Sequence, residues 1–108
     1  MRNPTFVTLS DGTIRNTYDV RLRNKHGEDR LFKLSLAGDP AMRLEIEGTK
    51  IDTVNVTADT AQLTRVYVLA PRDSGPAAAE ATPVRIWVED LSSGERAYKD
   101  TTFNGRGN

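Results

Sequence analysis

A two-residue alternation of apolar and polar side chains runs through most of this chain and constrains the fold more than any other feature. Successive side chains of a strand point to opposite faces, so such a pattern builds sheets with one dry face and one wet face. In residues 18–24, Tyr18, Val20 and Leu22 share one face, and Asp19, Arg21 and Arg23 share the other. Residues 31–37 repeat this with Phe32, Leu34 and Leu36 inward, and residues 42–47 with Met42, Leu44 and Ile46. Val54 and Val56 mark residues 51–56, Val66, Val68 and Ala70 mark residues 62–70, and Val84, Ile86 and Val88 mark residues 82–90. A weaker run at 95–103 and an opening strand at 5–9 bring the expected number of strands to about eight.

Turn chemistry separates the runs. Asp11-Gly12, Gly38-Asp39-Pro40, Gly48, Ala58-Asp59, Gly75-Pro76 and Ser92-Ser93-Gly94 all fall between them. Residues 24–29 read as a hairpin loop, with Gly27 free to take a positive φ, and residues 91–95 read as a second hairpin. The alanine run in residues 75–81 is too short for a stable helix and is expected to form a loop or a single turn. Short strands at intervals of about ten residues point to an all-β, two-sheet sandwich of immunoglobulin or fibronectin type, with seven to eight strands. No Cys–Trp–Cys pattern marks an antibody-type domain. The expected domain spans residues 1–103, followed by a flexible tail at 104–108.

The residue inventory excludes much chemistry. The chain of 108 residues has no cysteine, so thiolate chemistry, disulfides and cysteine-held iron–sulfur clusters are absent from it. Fifteen Lys and Arg balance fifteen Asp and Glu, which gives no basic excess of the kind nucleic acid requires. No apolar run is long enough for a membrane helix, and no signal peptide is expected at the start of this sequence. The single histidine, His26, lies in a charged loop, and no serine sits in a Gly-x-Ser-x-Gly turn. Glu89 and Asp90 point to opposite strand faces, while Glu45 and Glu47 share a face expected to be wet. His26, Met42 and Met1 complete the inventory of copper-type ligands, and Met42 falls on an apolar strand face as core filler. The expectation is a protein that is not an enzyme, with no catalytic, cofactor-binding or metal-binding residues in this chain.

The aromatic residues supply the one surface candidate. Trp87 alternates with Val84, Ile86 and Val88, and so lies on the opposite face beside Arg85. Tyr67 likewise opposes Val66 and Val68, beside Arg65. Exposed aromatics next to arginines are frequent interface anchors. The structural alternative is that arginine stems cover both rings and stabilise the sheets.

The first quarter of the chain carries a resemblance. Arg2-Asn3-Pro4-Thr5-Phe6-Val7-Thr8-Leu9-Ser10-Asp11-Gly12-Thr13-Ile14-Arg15-Asn16-Thr17-Tyr18, followed by Asn24-Lys25, resembles the start of the C-terminal immunoglobulin-like domain of the FixG/CcoG family of cytochrome c oxidase accessory proteins. Thr82-Pro83-Val84 and Phe103 resemble its later part, and Thr17 departs from it, since family members often carry glycine there. The resemblance implies a parent protein of the inner membrane with membrane helices and iron–sulfur clusters, serving assembly of a cbb-type oxidase through copper delivery or reduction. The present chain would be its periplasmic tail, touching the membrane only through parent segments absent here and contacting a protein partner. In its own right, the Arg2–Tyr18 stretch reads as structural, with Pro4 stiffening the start of the first strand and Arg15 and Asn16 bonding carbonyls where the chain crosses between sheets. Three readings stay open: a non-catalytic interaction or structural domain, a copper-handling domain, and a fibronectin-like adhesion or carbohydrate-binding module.

Overall fold

Two four-stranded antiparallel sheets pack face to face. The computed structural model describes residues 6–107. In chain order the elements are β1 (Val7–Thr8), β2 (Ile14–Arg23), β3 (Arg30–Ala37), β4 (Arg43–Ile46), β5 (Thr53–Val56), β6 (Ala61–Ala70), α1 (Gly75–Ala78), β7 (Ala81–Asp90) and β8 (Arg96–Asn104). One sheet has the order β1-β2-β6-β4 and the other β5-β3-β7-β8. The expected all-β sandwich is therefore present with eight strands, and the single turn expected in the alanine run is α1.

The apolar phase of each strand faces the partner sheet. Ile14, Val68 and Ala70 from the first sheet meet Val84 and Phe103 from the second, with Met42 and Ala77 closing that end. Leu22, Val66 and Ile46 meet Phe32, Leu34 and Val56 at the other end. Burial of these side chains is the main stabilising term, about 1.5–3 kcal/mol for each large one.

The structure departs from the sequence reading in three places. First, β2 begins at Ile14 rather than near residue 18, so Arg15 and Asn16 lie inside a strand and not at a crossing. Asn16 still bonds a carbonyl: its amide donates to Asn104 O at 2.9 Å and its oxygen accepts Asn104 N–H at 2.8 Å, tying the two sheets together. Second, residues 24–29 do not form a hairpin. β2 and β3 belong to different sheets, and the segment crosses between them. Asn24, 1% exposed, organises that crossing by donating to Glu28 O and Val56 O while accepting His26 N–H. Gly27 does not use a positive φ, whereas Gly94, in the true β7–β8 hairpin, does at +78°. Third, the segment expected to fray is held as far as Arg106. Asn104 ends β8, Gly105 N–H donates to Glu80 O and Arg106 N–H to Ala77 O. Gly105 is required there, because a Cβ would strike the carbonyls of Pro76 and Ala79. Of the opening strand expected at 5–9, Val7–Thr8 is a strand; Pro4 and Thr5 lie outside the described residues.

Candidate functional site

Three groups of polar and aromatic side chains stand out, and β-sheet geometry positions each of them. On the outer face of β7 and β8, Trp87 and Tyr98 are cross-strand partners, with ring centroids 5.0 Å apart and planes tilted by 57°. The Arg85 guanidinium lies 3.8 Å over the Tyr98 ring, and Arg96 lies 4.5 Å over Trp87. Arg85 also forms two bonds to the Asp100 carboxylate, at 2.7 and 3.2 Å. That hydrogen bonding holds Asp100 below the usual carboxylate range and raises Arg85.

The outer face of the other sheet carries Tyr67. Its hydroxyl donates to Glu47 at 2.7 Å, a bond that raises the phenol above its ordinary value. Arg15 lies 4.5 Å over the Tyr67 ring, and Arg65 sits between Asp19 at 3.7 Å and Glu47 at 3.9 Å. Because β6 and β7 belong to different sheets and both rings point away from the core, the candidates Arg65 and Tyr67 lie on one side of the sandwich, and Arg85 and Trp87 on the other. The structure brings them together in pairs, not as one surface of four. Each ring carries a guanidinium, in keeping with the sheet-stabilising alternative. Tyr98 and Arg96 escaped the sequence reading, since their run alternates only weakly; the signal was the Trp87–Tyr98 register, which needs the hairpin at Gly94.

A third group lies at the turn between β7 and β8. His26, Asp90 and Glu95 bring one ligand-type atom each to within 4.8 Å of one another. Asp90 is engaged already. One carboxylate oxygen accepts Arg30 Nη1–H at 2.7 Å, and the other accepts the N–H of Ser92 at 2.9 Å. Burial alone pushes Asp90 up, but the Ser92 N–H, Arg30 and the Ser93 N–H outweigh it, and its pKa lies below the ordinary value. His26 Nε2 stands 4.0 Å away. A cation placed here meets the Arg30 guanidinium on the same oxygen, so the group works as an ion-pair lock on the hairpin. Met42 is buried beside Ile14, Phe103 and Val84, and Val84 stands about 20 Å along β7 from Asp90. The copper-type ligands His26 and Met42 are thus not brought together; Met1 lies outside the described residues.

Between β2 and β8 the sheets part into an open cleft of about 880 Å³. Its floor is Val20, Phe32, Ile86 and Val88, and Arg21, Arg23, Lys25 and Lys99 stand along it. The cleft narrows where the Tyr18 hydroxyl donates to Thr102 O at 2.7 Å and Asn16 holds Asn104. Sequence reading missed it because alternation shows which face is dry, not how closely two faces meet. The visible trace is Lys99, a charge in the same inward phase of β8 as Phe103.

An eight-stranded antiparallel sandwich pinned by cross-sheet amide and phenol bonds is an immunoglobulin-like domain. The chain belongs to the FixG family: residues 1–106 match the family model described as "IG-like fold at C-terminal of FixG, putative oxidoreductase". It is 51% identical over 108 residues to Protein RdxB of Cereibacter sphaeroides, covering 100% of this chain and 23% of that protein. It is 34% identical over 108 residues to the nitrogen fixation protein FixG of Rhizobium meliloti, covering 95% of this chain and 20% of that one. The chain thus spans about a fifth of the length of these relatives. A crystal structure of a FixG-related protein from Vibrio parahaemolyticus shares the fold, with a TM-score of 0.77 at 16% identity, over 98% of this chain and 92% of that one.

Proposed function

We propose that this domain is the non-catalytic, periplasmic part of a membrane-bound iron–sulfur protein of the FixG family, and that it serves assembly of a cbb-type cytochrome c oxidase through protein contact. The observation that carries this reading is the match to the FixG C-terminal domain over residues 1–106 by a chain with no cysteine. Cluster chemistry in such a protein must then come from other segments. Among the described residues the one histidine stands beside an Asp90 already held by Arg30, which supplies no base–nucleophile pair. Contact or structural support is the work left to it. Membership of the FixG family supports this reading over a generic adhesion or carbohydrate-binding module. The copper-handling reading loses support from the separation of His26 and Met42.

The test is deletion of residues 6–107 from the full-length protein that carries them. The iron–sulfur signals in the electron paramagnetic resonance spectrum should persist while assembled oxidase in the membrane falls. Normal oxidase levels, or loss of the cluster signals with the domain, would contradict the proposal.

A further inference from the structure

β5 closes one side of its sheet, with β3 as its partner among the described residues. The Leu34 N–H donates to Asp52 O at 2.9 Å, which sets the alternation of hydrogen-bonded pairs along the β3–β5 ladder. Val54 and Val56 therefore turn their main-chain groups toward β3, while Thr53 and Asn55 turn theirs outward. The described residues end at Phe6, packed in the Ile14 cluster on the β1–β2 side, and at Gly107, next to Glu80, so neither continuation of the chain starts at β5.

Apolar surface runs along this edge. Leu44 and Val54 are half-buried against the core, and Ile51 is 62% exposed. An uncovered edge is a template for a further strand unless charge, proline or a bulge blocks it. The edge strand β4 carries Arg43 and Glu45, and β8 carries Lys99 in its inward phase, so both are guarded. β5 reads Thr53-Val54-Asn55-Val56, with no charge and no proline.

Charge selects the occupant. Antiparallel neighbours point to the same face, so β5 meets a two-fold copy of itself with Val54 opposite Val54 and Thr53 opposite Asn55. No like charges face each other in that register. Lys50 of each copy comes opposite Ala58 and beside Asp59 of the other, an opposite charge, and the contact occurs twice by symmetry. Among the described residues neither Lys50 nor Asp59 forms a salt bridge within the chain.

We infer that two copies of this domain associate through β5, joining their four-stranded sheets into one sheet of eight strands. Thr53 and Asn55 supply the main-chain hydrogen bonds, and the two Val54 side chains cover each other. The shared edge is four residues long, so the association is weak and depends on a high local concentration.

The test follows the isotope-labelled 108-residue chain by sedimentation and by amide shifts as its concentration rises about a hundredfold, to about 2 mM. The mass should move from one chain toward two, with shifts centred on residues 50–59. Thr53→Lys combined with Asn55→Lys sets lysines opposite one another in the proposed register, and that variant should stay monomeric. Thr53→Glu combined with Asn55→Glu should stay monomeric as well. Both positions lie on the outer face, away from the core, and the amide spectrum checks that each variant is folded. A mixture of the lysine and glutamate variants should associate about tenfold more tightly than the unaltered chain. An unaltered chain that remains monomeric throughout, shifts centred elsewhere, or variants that fail to associate when mixed would overturn the inference. The oxidase plays no part in this experiment, so failure here leaves the deletion result standing, and the reverse holds as well.

Discussion

Among the described residues Asp90 gathers three hydrogen-bond donors on one carboxylate. It is 6% exposed, accepts hydrogen bonds from Arg30, Ser92 and Ser93, and so joins β3 to the β7–β8 hairpin. Its folded pKa is depressed, against about 3.9 in an unfolded chain. The sign follows from linkage: the unfolded chain binds the proton more readily, so the contribution of Asp90 is complete above about pH 4 and is lost as pH falls through the depressed folded value. Asp90→Asn keeps an acceptor for the serine N–H groups but removes the charge facing Arg30. Urea unfolding should show the variant about 1–3 kcal/mol less stable at pH 7, with the gap closing toward pH 2. A gap unchanged over that range would mean that the charge is not what holds the hairpin. Tyr18 carries the opposite sign, since burial pushes its hydroxyl up to about 12 and its bond to Thr102 strengthens the neutral form. Single residues of this kind were only partly legible. Asn16 could be read as a carbonyl binder, and it is one, but its place within β2 follows from pairing with β6, which no local pattern announces.

Strands were the most legible level. The inward sets Phe32-Leu34-Leu36, Val66-Val68-Ala70 and Val84-Ile86-Val88 needed only period two, because burial of one face is a local property of the sequence. Sheet membership was not legible. Residues 24–29 have the composition of a hairpin loop, yet β2 pairs with β6 and β3 with β7, and that choice depends on residues dozens of positions away. The same gap explains why Tyr67 and Trp87 resemble one aromatic surface in sequence and occupy opposite sides in space. Their separation has a measurable consequence. Side chains on different sheets with no shared partner should contribute independently, so the stability losses of Tyr67→Ala and Trp87→Ala should add in the double variant to within about 0.5 kcal/mol. A coupling energy of about 1 kcal/mol or more would contradict the split. A matching cycle of Trp87→Ala with Tyr98→Ala should couple, because those rings touch.

At the scale of the whole molecule, balanced composition hides an uneven surface. Fifteen cations and fifteen carboxylates cancel in sum, while ion pairs on the outer faces leave the β2–β8 cleft positive. The pinned end, where Asn16 and Tyr18 bind β8, keeps the sandwich closed and leaves the opposite end of the same seam open. The domain is a small part of its relatives, about a fifth of their length, and the contact role proposed for it is a property to be tested in the whole protein. The most direct measurement is competition in a bacterium that makes a full-length FixG-family protein. The 108-residue chain, exported to the periplasm in excess, should occupy the partner and lower the amount of assembled oxidase. Oxidase assembly unchanged by a large excess of folded domain would contradict a role in contact.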